Sequence, residues 1–360
     1  MKQQRVLIWS KSVSDFFDGN VCGIGVQLYF WAQTFTQNRW EVSTLTSHKS
    51  FIHENIHFIH YRNWGKLEFL HEWIAILWNI VQLHPQIVIH RGAGRITLPL
   101  AIISKCSGVK FVLFSASDTD FETGRELIAG GSHNRRMWHK AIKWLQYIIV
   151  QNQYQHDMLK SKYGKESLIL NNVWGHVNIT RKNNQATDVV WVANFRRLKR
   201  AEWFINAAKV MPEYDFTMIG GASKQDHGYY EEIKQQATSI PNLHFLGKKD
   251  FNETNSIVAN SRLLCCTSTF EGFPNTFLQA WANNIPVIST VNPSSIISKN
   301  HLGIVVETEE SFKLQIRKLL QDDRLYSSIS QCVNHYFSIN YEMTVNYNKL
   351  VNFVNEKQDS

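Results

Sequence analysis

The fold is most clearly marked by one stretch, which reads Thr267-Ser-Thr-Phe-Glu-Gly-Phe-Pro-Asn-Thr-Phe-Leu-Gln-Ala-Trp-Ala282. It follows a short apolar run, residues 263–266, that has the length and composition of a buried strand. Glu271 and Gly272 suit a turn, and Pro274 suits the first turn of a helix. The stretch therefore predicts a strand, a loop and a helix in succession, which is the repeating unit of a parallel α/β sheet.

The same alternation extends through the chain in both directions from this stretch. Strands are predicted at 6–9, 42–45, 87–89, 110–114, 148–150, 189–193, 216–219, 243–246, 263–266 and 287–289, with helices at 25–37, 66–83, 134–145, 200–210, 229–237, 252–259, 275–283 and 340–357. A polar stretch at 171–188 interrupts the alternation and reads as a linker. We therefore predict an α/β protein with parallel-sheet domains at 1–175 and 186–340, and a helix in 341–360 that returns to the first domain. Ligands of such domains bind at the carboxyl ends of the strands, which we expect to face a central cleft.

The composition is that of a globular chain with an uneven charge. Of 360 residues, 44% are apolar and 19% are charged, which excludes intrinsic disorder. The formal charge is +8, of which +7 falls in residues 1–170, together with eight of the twelve tryptophans. A basic, tryptophan-rich half favours an anionic partner, either a membrane surface or a nucleic acid. The chain contains no nucleic-acid-binding motif and its tryptophans have helical core spacing, so the membrane is the better reading.

Peripheral rather than integral contact with a membrane is expected. Residues 73–90 lack Lys, Arg, Asp and Glu, but Pro85 and several polar residues interrupt them, so a helix, a turn and a strand fit better than a membrane span. The N-terminus has no signal-peptide pattern, and five scattered cysteines suit a reducing compartment. We therefore expect a cytoplasmic protein that contacts the inner face of the cell membrane.

One helix is the specific candidate for that contact. In the predicted helix 134–145, the basic residues Arg136, Lys140 and Lys143 share one face, with Arg135 beside them, and the apolar residues Met137, Ala141, Trp144 and Leu145 share another. Such a helix suits anionic headgroups, although an ordinary surface helix has the same pattern. The helix at 66–83, which carries Trp73 and Trp78, is predicted to belong to the core.

A second informative loop follows the strand at 189–193. It contains four cations within five positions, of which Arg196 and Lys199 are the better candidates to bind a diphosphate, while Arg197 and Arg200 read as solvated. In the stretch 267–282, Glu271 suits hydroxyl groups, and Gln279 is expected about two turns into the helix, facing the same ligand. These features together describe a pocket for a sugar nucleotide.

The stretches 190–199, 218–221, 244–247, 268–282 and 285–289 resemble the donor-binding half of retaining GT-B glycosyltransferases of family GT4, the glycosyl transferases of group 1. The resemblance implies two Rossmann-like domains and transfer of a sugar, with retention of anomeric configuration, from a nucleotide diphosphate sugar to a glycan or lipid-linked glycan acceptor in cell-surface polysaccharide synthesis. It implies no required metal or other cofactor and no catalytic nucleophile.

The resemblance also implies roles for individual residues. Arg196 and Lys199 would bind the diphosphate and Glu271 the sugar hydroxyls, so these three are the catalytic candidates. Gln279 takes the place of a second Glu that the family uses for the ribose diol. The donor-binding set comprises Gly23, Gly25, Asn194, Gly220, Gly247, Lys248, Gly272, Phe273, Pro274, Asn275, Thr276 and Gln279. The acceptor-side set comprises Asp118 and His90.

Other readings remain open on the sequence alone. Asp118-Thr-Asp120 matches the D-x-D pattern that binds a divalent cation in glycosyltransferases of another fold, although three-residue matches arise easily by chance. The glycine loop with Gly23 and Gly25 could be a plain turn. Three rival functions are a sugar-nucleotide epimerase of the same fold, a non-catalytic sugar-nucleotide-binding protein, and a nucleic-acid-binding protein.

Overall fold

The computed structural model describes residues 3–19, 22–61, 68–116, 120–121, 131–175, 177, 187–223, 226, 228–271 and 273–356, and only the main chain of residues 68–69 and 131–135. The chain forms two compact units. Unit 1 comprises Met1–Gly175 together with Met343–Ser360, and unit 2 comprises His176–Glu342. Residues 176 and 178–186, which make up much of the predicted linker, lie outside the described part of the chain.

Unit 1 is built on an eight-stranded sheet. Its strands are β1 (Arg5–Ile8), β2 (Glu41–Thr46), β3 (Phe51–His53), β4 (Ile56–His60), β5 (Ile87–Arg91), β6 (Lys110–Phe114), β7 (Tyr147–Val150) and β8 (Leu168–Ile169). They lie in the order β3-β4-β2-β1-β5-β6-β7-β8. All neighbours pair in parallel except β3 and β4, which are antiparallel.

The helices of unit 1 cover the sheet. They are α1 (Ser12–Phe17), α2 (Gly23–Gln37), α3 (Glu68–Leu83), α4 (Thr97–Cys106), α5 (Gly131–Trp144), α6 (Gln153–Tyr163) and, from the end of the chain, α14 (Met343–Glu356). Helices α3, α4 and α5 contribute Ile76, Leu100 and Trp138 to one buried cluster with the sheet residues Leu7 and Val88. Strands that are buried on both faces read as nearly continuous apolar runs, which explains why most of them could be recognised in the sequence.

The end of the chain packs against unit 1. The Nε1 atom of Trp40 donates to the hydroxyl of Tyr347 at 2.9 Å, and Phe35 meets the Tyr347 ring edge-on. Leu350 and Val354, on the same face of α14, are buried. The last helix thus belongs structurally to the first half of the sequence.

Unit 2 has a six-stranded parallel sheet. Its strands are β9 (Thr187–Val192), β10 (Phe216–Ile219), β11 (Leu243–Phe245), β12 (Ser261–Cys266), β13 (Val287–Ser289) and β14 (Gly303–Val305), in the order β11-β10-β9-β12-β13-β14. Its helices are α7 (Ala201–Val210), α8 (Tyr229–Thr238), α9 (Phe251–Ala259), α10 (Asn275–Trp281), α11 (Ile296–Asn300), α12 (Glu309–Gln321) and α13 (Asp323–Asn340). The central strands β9 and β12 are neighbours, and their inner residues are buried.

The prediction that the helix with Trp73 and Trp78 belongs to the core was wrong for one side of α3. Trp73 packs against the buried cluster as expected, but Trp78 is exposed. It lies on an apolar stripe whose members are 50–64% exposed, namely Leu70, Ile74, Leu77, Trp78 and Val81. The spacing of these residues puts them on one side of the helix, because residues three or four apart are neighbours on a helix surface. None of the helices that the structure describes combines the length and apolar content that a membrane crossing requires.

Candidate active site

The carboxyl ends of β9 and β12 bring two of the predicted loops together. The two strands pair in parallel, with Val190 opposite Leu264 and Trp191 opposite Cys265. The loops that follow are hydrogen-bonded to each other: the backbone N–H of Thr269 donates to the carbonyl of Leu198 at 2.8 Å, and the Thr267 hydroxyl donates to the carbonyl of Lys199 at 2.5 Å. The basic loop and the loop that carries Glu271 therefore form one surface.

An ion pair joins the two loops at this surface. The Nζ atom of Lys199 contacts Oε1 of Glu271, and both side chains are mostly buried, with 17% and 21% of their surfaces exposed. The Ser268 hydroxyl donates to the same Oε1 atom at 2.9 Å. In the described part of the chain, the Oε2 atom of Glu271 has no hydrogen-bond partner. The carboxylate is thus held in place through one oxygen, while the other can accept a hydrogen bond from a ligand.

Arg196 presents a buried donor without a partner. Its Nε atom is inaccessible to solvent and makes no hydrogen bond to any described atom, and its guanidinium forms no ion pair there. An unsatisfied buried N–H is costly and rare in folded proteins. A guanidinium with spare donors beside a second cation is well suited to a phosphate group.

The neighbouring arginines are occupied by structural contacts. Arg197 donates from Nη2 to Glu232 at 3.0 Å and lies over the ring of Tyr229, 4.9 Å from its centroid. Arg200 donates from Nε to the carbonyl of Thr267 at 2.7 Å and stacks over Trp203. Arg200 is therefore not the solvated side chain that the sequence analysis expected, and the choice of Arg196 and Lys199 as ligands of a diphosphate stays a prediction.

Two glycines shape the adjoining loops. A Cβ atom on Gly220 would lie 1.8 Å from the carbonyl oxygen of Ala193, so only glycine fits where the loop after β10 passes the loop after β9. The backbone N–H of Gly220 donates to the carbonyl of Gly247 at 2.9 Å, and Gly247 has a φ of 64°. Asn194 and Lys248, two further predicted donor-binding residues, are exposed in these loops.

Helix α10 begins at Asn275, as predicted, and ends at Trp281, two residues before the predicted end. Pro274 precedes the helix as its N-cap residue instead of lying in its first turn, and the helix has seven residues. The ring of Phe273 packs against Phe277, Trp281 and Tyr341, so this predicted ligand contact has a clear structural role. Asn275 and Thr276 are partly exposed at the helix start, and Gly272 lies outside the described residues.

Gln279 does not face an open site, contrary to the sequence-based expectation. Its side chain is 4% exposed, and its Nε2 atom donates to Oδ1 of Asn255 at 2.9 Å. Asn255, on α9, is itself buried and donates to the carbonyl of Phe251 at 2.7 Å. The amide at position 279 therefore ties α10 to α9, and helical spacing alone could not reveal this partner.

The predicted residues of the first half lie in unit 1. Gly23 and Gly25 fall in the first turn of α2, and a Cβ atom on Gly25 would lie 2.5 Å from the carbonyl oxygen of Ser12. Close packing of α2 against the start of α1 thus explains why position 25 requires glycine. Neither the predicted contact with the donor nor the alternative of a plain turn is needed to explain it.

His90 lies at the carboxyl end of β5. Its Nδ1 atom is 2.8 Å from the carbonyl of Trp9, and because a carbonyl only accepts, Nδ1 carries the proton. Burial lowers the pKa of His90 below its ordinary value, and the hydrogen bond to Trp9 acts in the opposite direction. The neutral ring therefore keeps a lone pair on Nε2.

The D-x-D pattern is only half described, because Asp118 lies outside the described residues. Asp120 accepts the backbone N–H of Ala116 at 2.7 Å through its carboxylate, and its carbonyl accepts Nε1 of Trp138 at 2.6 Å. These bonds give Asp120 a role in the local turn. Within the described ranges, no three His, Cys, Asp or Glu side chains are grouped as metal ligands would be.

Two residues that the sequence analysis missed also border the strand ends. Arg91 is buried at the end of β5, where it donates to Asn172 at 2.6 Å; burial lowers its pKa to about 10, against the opposing effect of Asp120. Phe270 is 72% exposed beside Glu271. The sequence did contain a signal for each residue. Arg91 is a cation at the end of an apolar strand, and Phe270 is an aromatic residue in a loop, outside the spacing of core residues.

Comparison with known proteins agrees with this geometry. Residues 186–322 match the model of the family described as Glycosyl transferases group 1. The O-antigen biosynthesis glycosyltransferase WbnH of Escherichia coli is 26% identical over 141 residues, which are 38% of this chain and 39% of that protein. The match thus spans about two fifths of the length of this curated relative.

Solved structures resemble the whole chain. Sucrose-phosphate synthase from Thermosynechococcus elongatus superposes with a TM-score of 0.74 at 12% identity, covering 99% of this chain and 100% of that one. HepE of Anabaena, solved in complex with UDP and glucose, has a TM-score of 0.69 at 16% identity, with 99% of each chain covered. The protein has the GT-B fold. Within this GT-B chain, the group 1 match falls on the unit that contains Arg196, Lys199 and Glu271.

Proposed function

We propose that this GT-B protein is a glycosyltransferase that moves a sugar, with retention of anomeric configuration, from a nucleotide diphosphate sugar to a glycan or lipid-linked glycan acceptor in cell-surface polysaccharide synthesis. The observation that carries the proposal is the buried Nε of Arg196, which has no hydrogen-bond partner among the described atoms. Arg196 begins the short turn that contains Lys199, the partner of Glu271, in the region that matches group 1. The likeness to WbnH supports the polysaccharide pathway, and HepE, solved with UDP, supports a nucleotide donor.

The arrangement suggests how the donor is bound. An ammonium has three N–H groups, so Lys199 can keep its contact with Glu271 and still donate to a phosphate oxygen. Arg196 would satisfy its orphaned donor on the same diphosphate. The Oε2 atom of Glu271 would then accept a hydroxyl of the transferred sugar, which places the anomeric carbon next to the cations.

The proposed reaction is compatible with these contacts. The acceptor hydroxyl oxygen forms a bond to the anomeric carbon while the bond from that carbon to the diphosphate oxygen breaks, leaving its electron pair on the diphosphate. The departing diphosphate takes the hydroxyl proton on the same face of the sugar, so configuration is retained. Negative charge grows on the diphosphate during this step, and Arg196 and Lys199 stabilise it more strongly in the transition state than in the ground state.

The donor is tested by measuring the melting temperature with UDP-, GDP- and ADP-sugars. A bound donor raises the melting temperature by mass action. Release of the nucleoside diphosphate is then followed with and without glycan acceptors. An epimerase would instead change a stereocentre of the sugar nucleotide without releasing the diphosphate, and a non-catalytic protein would bind a donor without converting it. Either result would overturn the proposal, as would salt-sensitive nanomolar binding of nucleic acid without any donor binding.

A second part of the proposal concerns the membrane. Arg136, Lys140 and Lys143 are exposed on α5, as its spacing predicted, while Trp144 is exposed instead of lying on the buried face. The side chain of Arg135 lies outside the described residues. Helix α3 adds the exposed apolar stripe, and both helices pack on the same face of the unit 1 sheet. Helix α4 packs between α3 and α5, so an apolar and a basic surface on one face of the sheet would together suit peripheral binding to an anionic membrane on the cytoplasmic side.

Sedimentation with vesicles tests this part. We expect the protein to sediment at low salt with vesicles containing phosphatidylglycerol, and much less with phosphatidylcholine alone. Trp78→Glu and Lys140→Glu should each reduce the bound fraction severalfold. Leu314→Glu, at an exposed leucine of α12, is the matched control. Absence of binding to anionic vesicles at low salt would count against the membrane contact.

A further inference from the structure

A concave surface of unit 1 lies at the amino ends of β6 and β7, at the opposite end of the strands from His90 and Arg91. It is a cavity of about 520 Å³ between the ends of α4 and α5 and the first residues of the two strands. Four of its twelve lining residues are lysines, and none is an aspartate or glutamate. The lysines are Lys105, Lys110, Lys143 and Lys165.

The contacts of three of these lysines leave donors available, while the Nζ atom of Lys110 donates to Oδ1 of Asn355 at 3.2 Å. The Nζ atom of Lys165 donates to the carbonyl of Leu145 at 3.0 Å, which uses one of its three N–H groups. The Nζ atom of Lys105 lies 5.2 Å from the ring centroid of Trp144, an exposed side chain that also lines the cavity. In the part of the chain that the structure describes, Lys105, Lys143 and Lys165 form no ion pair with a carboxylate.

The clustered cations are incompletely neutralised. Burial lowers the pKa of Lys165, and the charge of Lys105 lowers it further. The carboxyl-terminal ends of α4 and α5 supply only partial negative charge near the cavity, about half a charge per helix end. A multiply charged anion would relieve this repulsion and accept several charge-assisted hydrogen bonds at once.

We infer that this cavity binds a phosphate-bearing anion, such as a phosphorylated small molecule or the phosphate of a lipid headgroup. Several ammonium groups that line one cavity suit the several oxygens of a phosphate, and the exposed indole of Trp144 offers an apolar surface to the group attached to the phosphate. The volume is in the range of small-ligand sites. The site shares no residue with the candidate active site of unit 2.

Binding of inorganic pyrophosphate, measured by calorimetry, tests the inference. The measurement uses a protein with Arg196→Ala and Lys199→Ala, so that the candidate donor site does not contribute. We expect binding to persist there and to weaken at least tenfold when Lys105→Gln and Lys165→Gln are added. Lys160→Gln, at an exposed lysine of α6 that pairs with Glu166, should leave the affinity unchanged. Equal affinity with and without the cavity substitutions would overturn the inference.

A single substitution at an exposed lysine separates loss of binding from loss of folding. Lys143 is exposed and its ammonium makes no hydrogen bond to a described residue, so Lys143→Gln should weaken pyrophosphate binding severalfold without changing the melting temperature. Unchanged binding in this variant would also contradict the inference.

The source of the phosphate is distinguished by competition. The natural ligand is a lipid phosphate if pyrophosphate displaces the protein from vesicles of phosphatidic acid and if the double variant Lys105→Gln, Lys165→Gln no longer binds these vesicles. If the two substitutions abolish pyrophosphate binding and leave vesicle binding intact, it is a soluble phosphate.

Discussion

Adjacent arginines in the loop after β9 illustrate how the structure separates similar residues. Arg197 is engaged by Glu232 and Tyr229, whereas the buried Nε of Arg196 has no hydrogen-bond partner among the residues that the structure describes. The strand-end position of the basic run was visible in the sequence, and the structure places the run in the loop after β9. The ion pair between Lys199 and Glu271 was not visible, because its members are 72 positions apart.

This difference predicts unequal kinetic effects. Arg196→Ala should lower kcat by about 10²- to 10³-fold and raise KM less, because its contact strengthens as charge develops on the leaving diphosphate. Arg197→Ala should change kcat less than about threefold, because its side chain forms exposed structural contacts of small energetic value. Steady-state release of nucleoside diphosphate measures both. An unchanged kcat for Arg196→Ala would remove this residue from the mechanism.

A second prediction at the residue scale concerns Gly220. Alanine there places its Cβ atom against the backbone of Ala193, which must move, so Gly220→Ala should reduce the free energy of unfolding by about 1–3 kcal/mol. Gly94→Ala is the matched control, since no atom of the described residues lies within 4 Å of the Cβ position there. Urea unfolding of both variants measures the difference, and equal midpoints would show that the loops adjust freely.

At the scale of elements, the best predictions were those of strands with a continuous apolar run and of helices with one apolar face. The strand β4 was missed although Ile56 and Phe58 alternate with polar positions, and β3 was missed because its three residues are exposed and give no apolar signal. Helix α3 was predicted, but its buried face was not. It is apolar on both sides, so periodicity cannot say which tryptophan, Trp73 or Trp78, is covered.

The contact between α10 and α9 gives a prediction of its own. Gln279→Glu introduces the residue that the resemblance to family GT4 implies at this position, and it puts a carboxyl group in a buried site against Oδ1 of Asn255. Burial raises the pKa of such a carboxyl above its unfolded value of about 4.3, so the folded state binds more protons. The variant should therefore lose stability as pH rises above that value, by about 1–3 kcal/mol at pH 7.

Thermal unfolding between pH 4 and 8 checks this expectation. Gln235→Glu, at an exposed position of α8, is the control and should show no such pH dependence. If Gln279→Glu were as stable as the native protein at pH 7, the side chain at position 279 would have to leave the buried site. That result would favour the expectation from the sequence, in which this side chain faces the ligand.

At the scale of the whole molecule, the chain order and the spatial order differ. Helix α14 follows unit 2 in sequence but packs on unit 1, where Leu350 is completely buried. A final helix was recognisable from its pattern, and its return was expected from the family resemblance. Its contacts with Trp40 and Phe35 join residues about 300 positions apart, and such pairs leave no local trace in a sequence.

The placement of α14 predicts which unit responds to a distant substitution. Leu350→Ala should destabilise by about 2–5 kcal/mol through loss of a buried side chain, and amide exchange should accelerate in α2 and β2 of unit 1. Exchange in β9 and β12 of unit 2 should stay unchanged. Leu314→Ala, an exposed leucine of α12, is the control. Faster exchange confined to unit 2 would contradict this placement.

The sequence by itself determined the two parallel sheets, because buried strands must be apolar and the helices between them must be amphipathic. It also located the strand-end loops and the cations within them. Only the tertiary structure decided which of those cations keep free donors and that Asn255 engages Gln279. It also decided which side of α3 is exposed, and it brought four lysines from separate parts of the chain to one cavity. The physical reason is that hydrogen-bond partners and burial depend on neighbours far along the chain, whereas strand and helix patterns depend on neighbours close by.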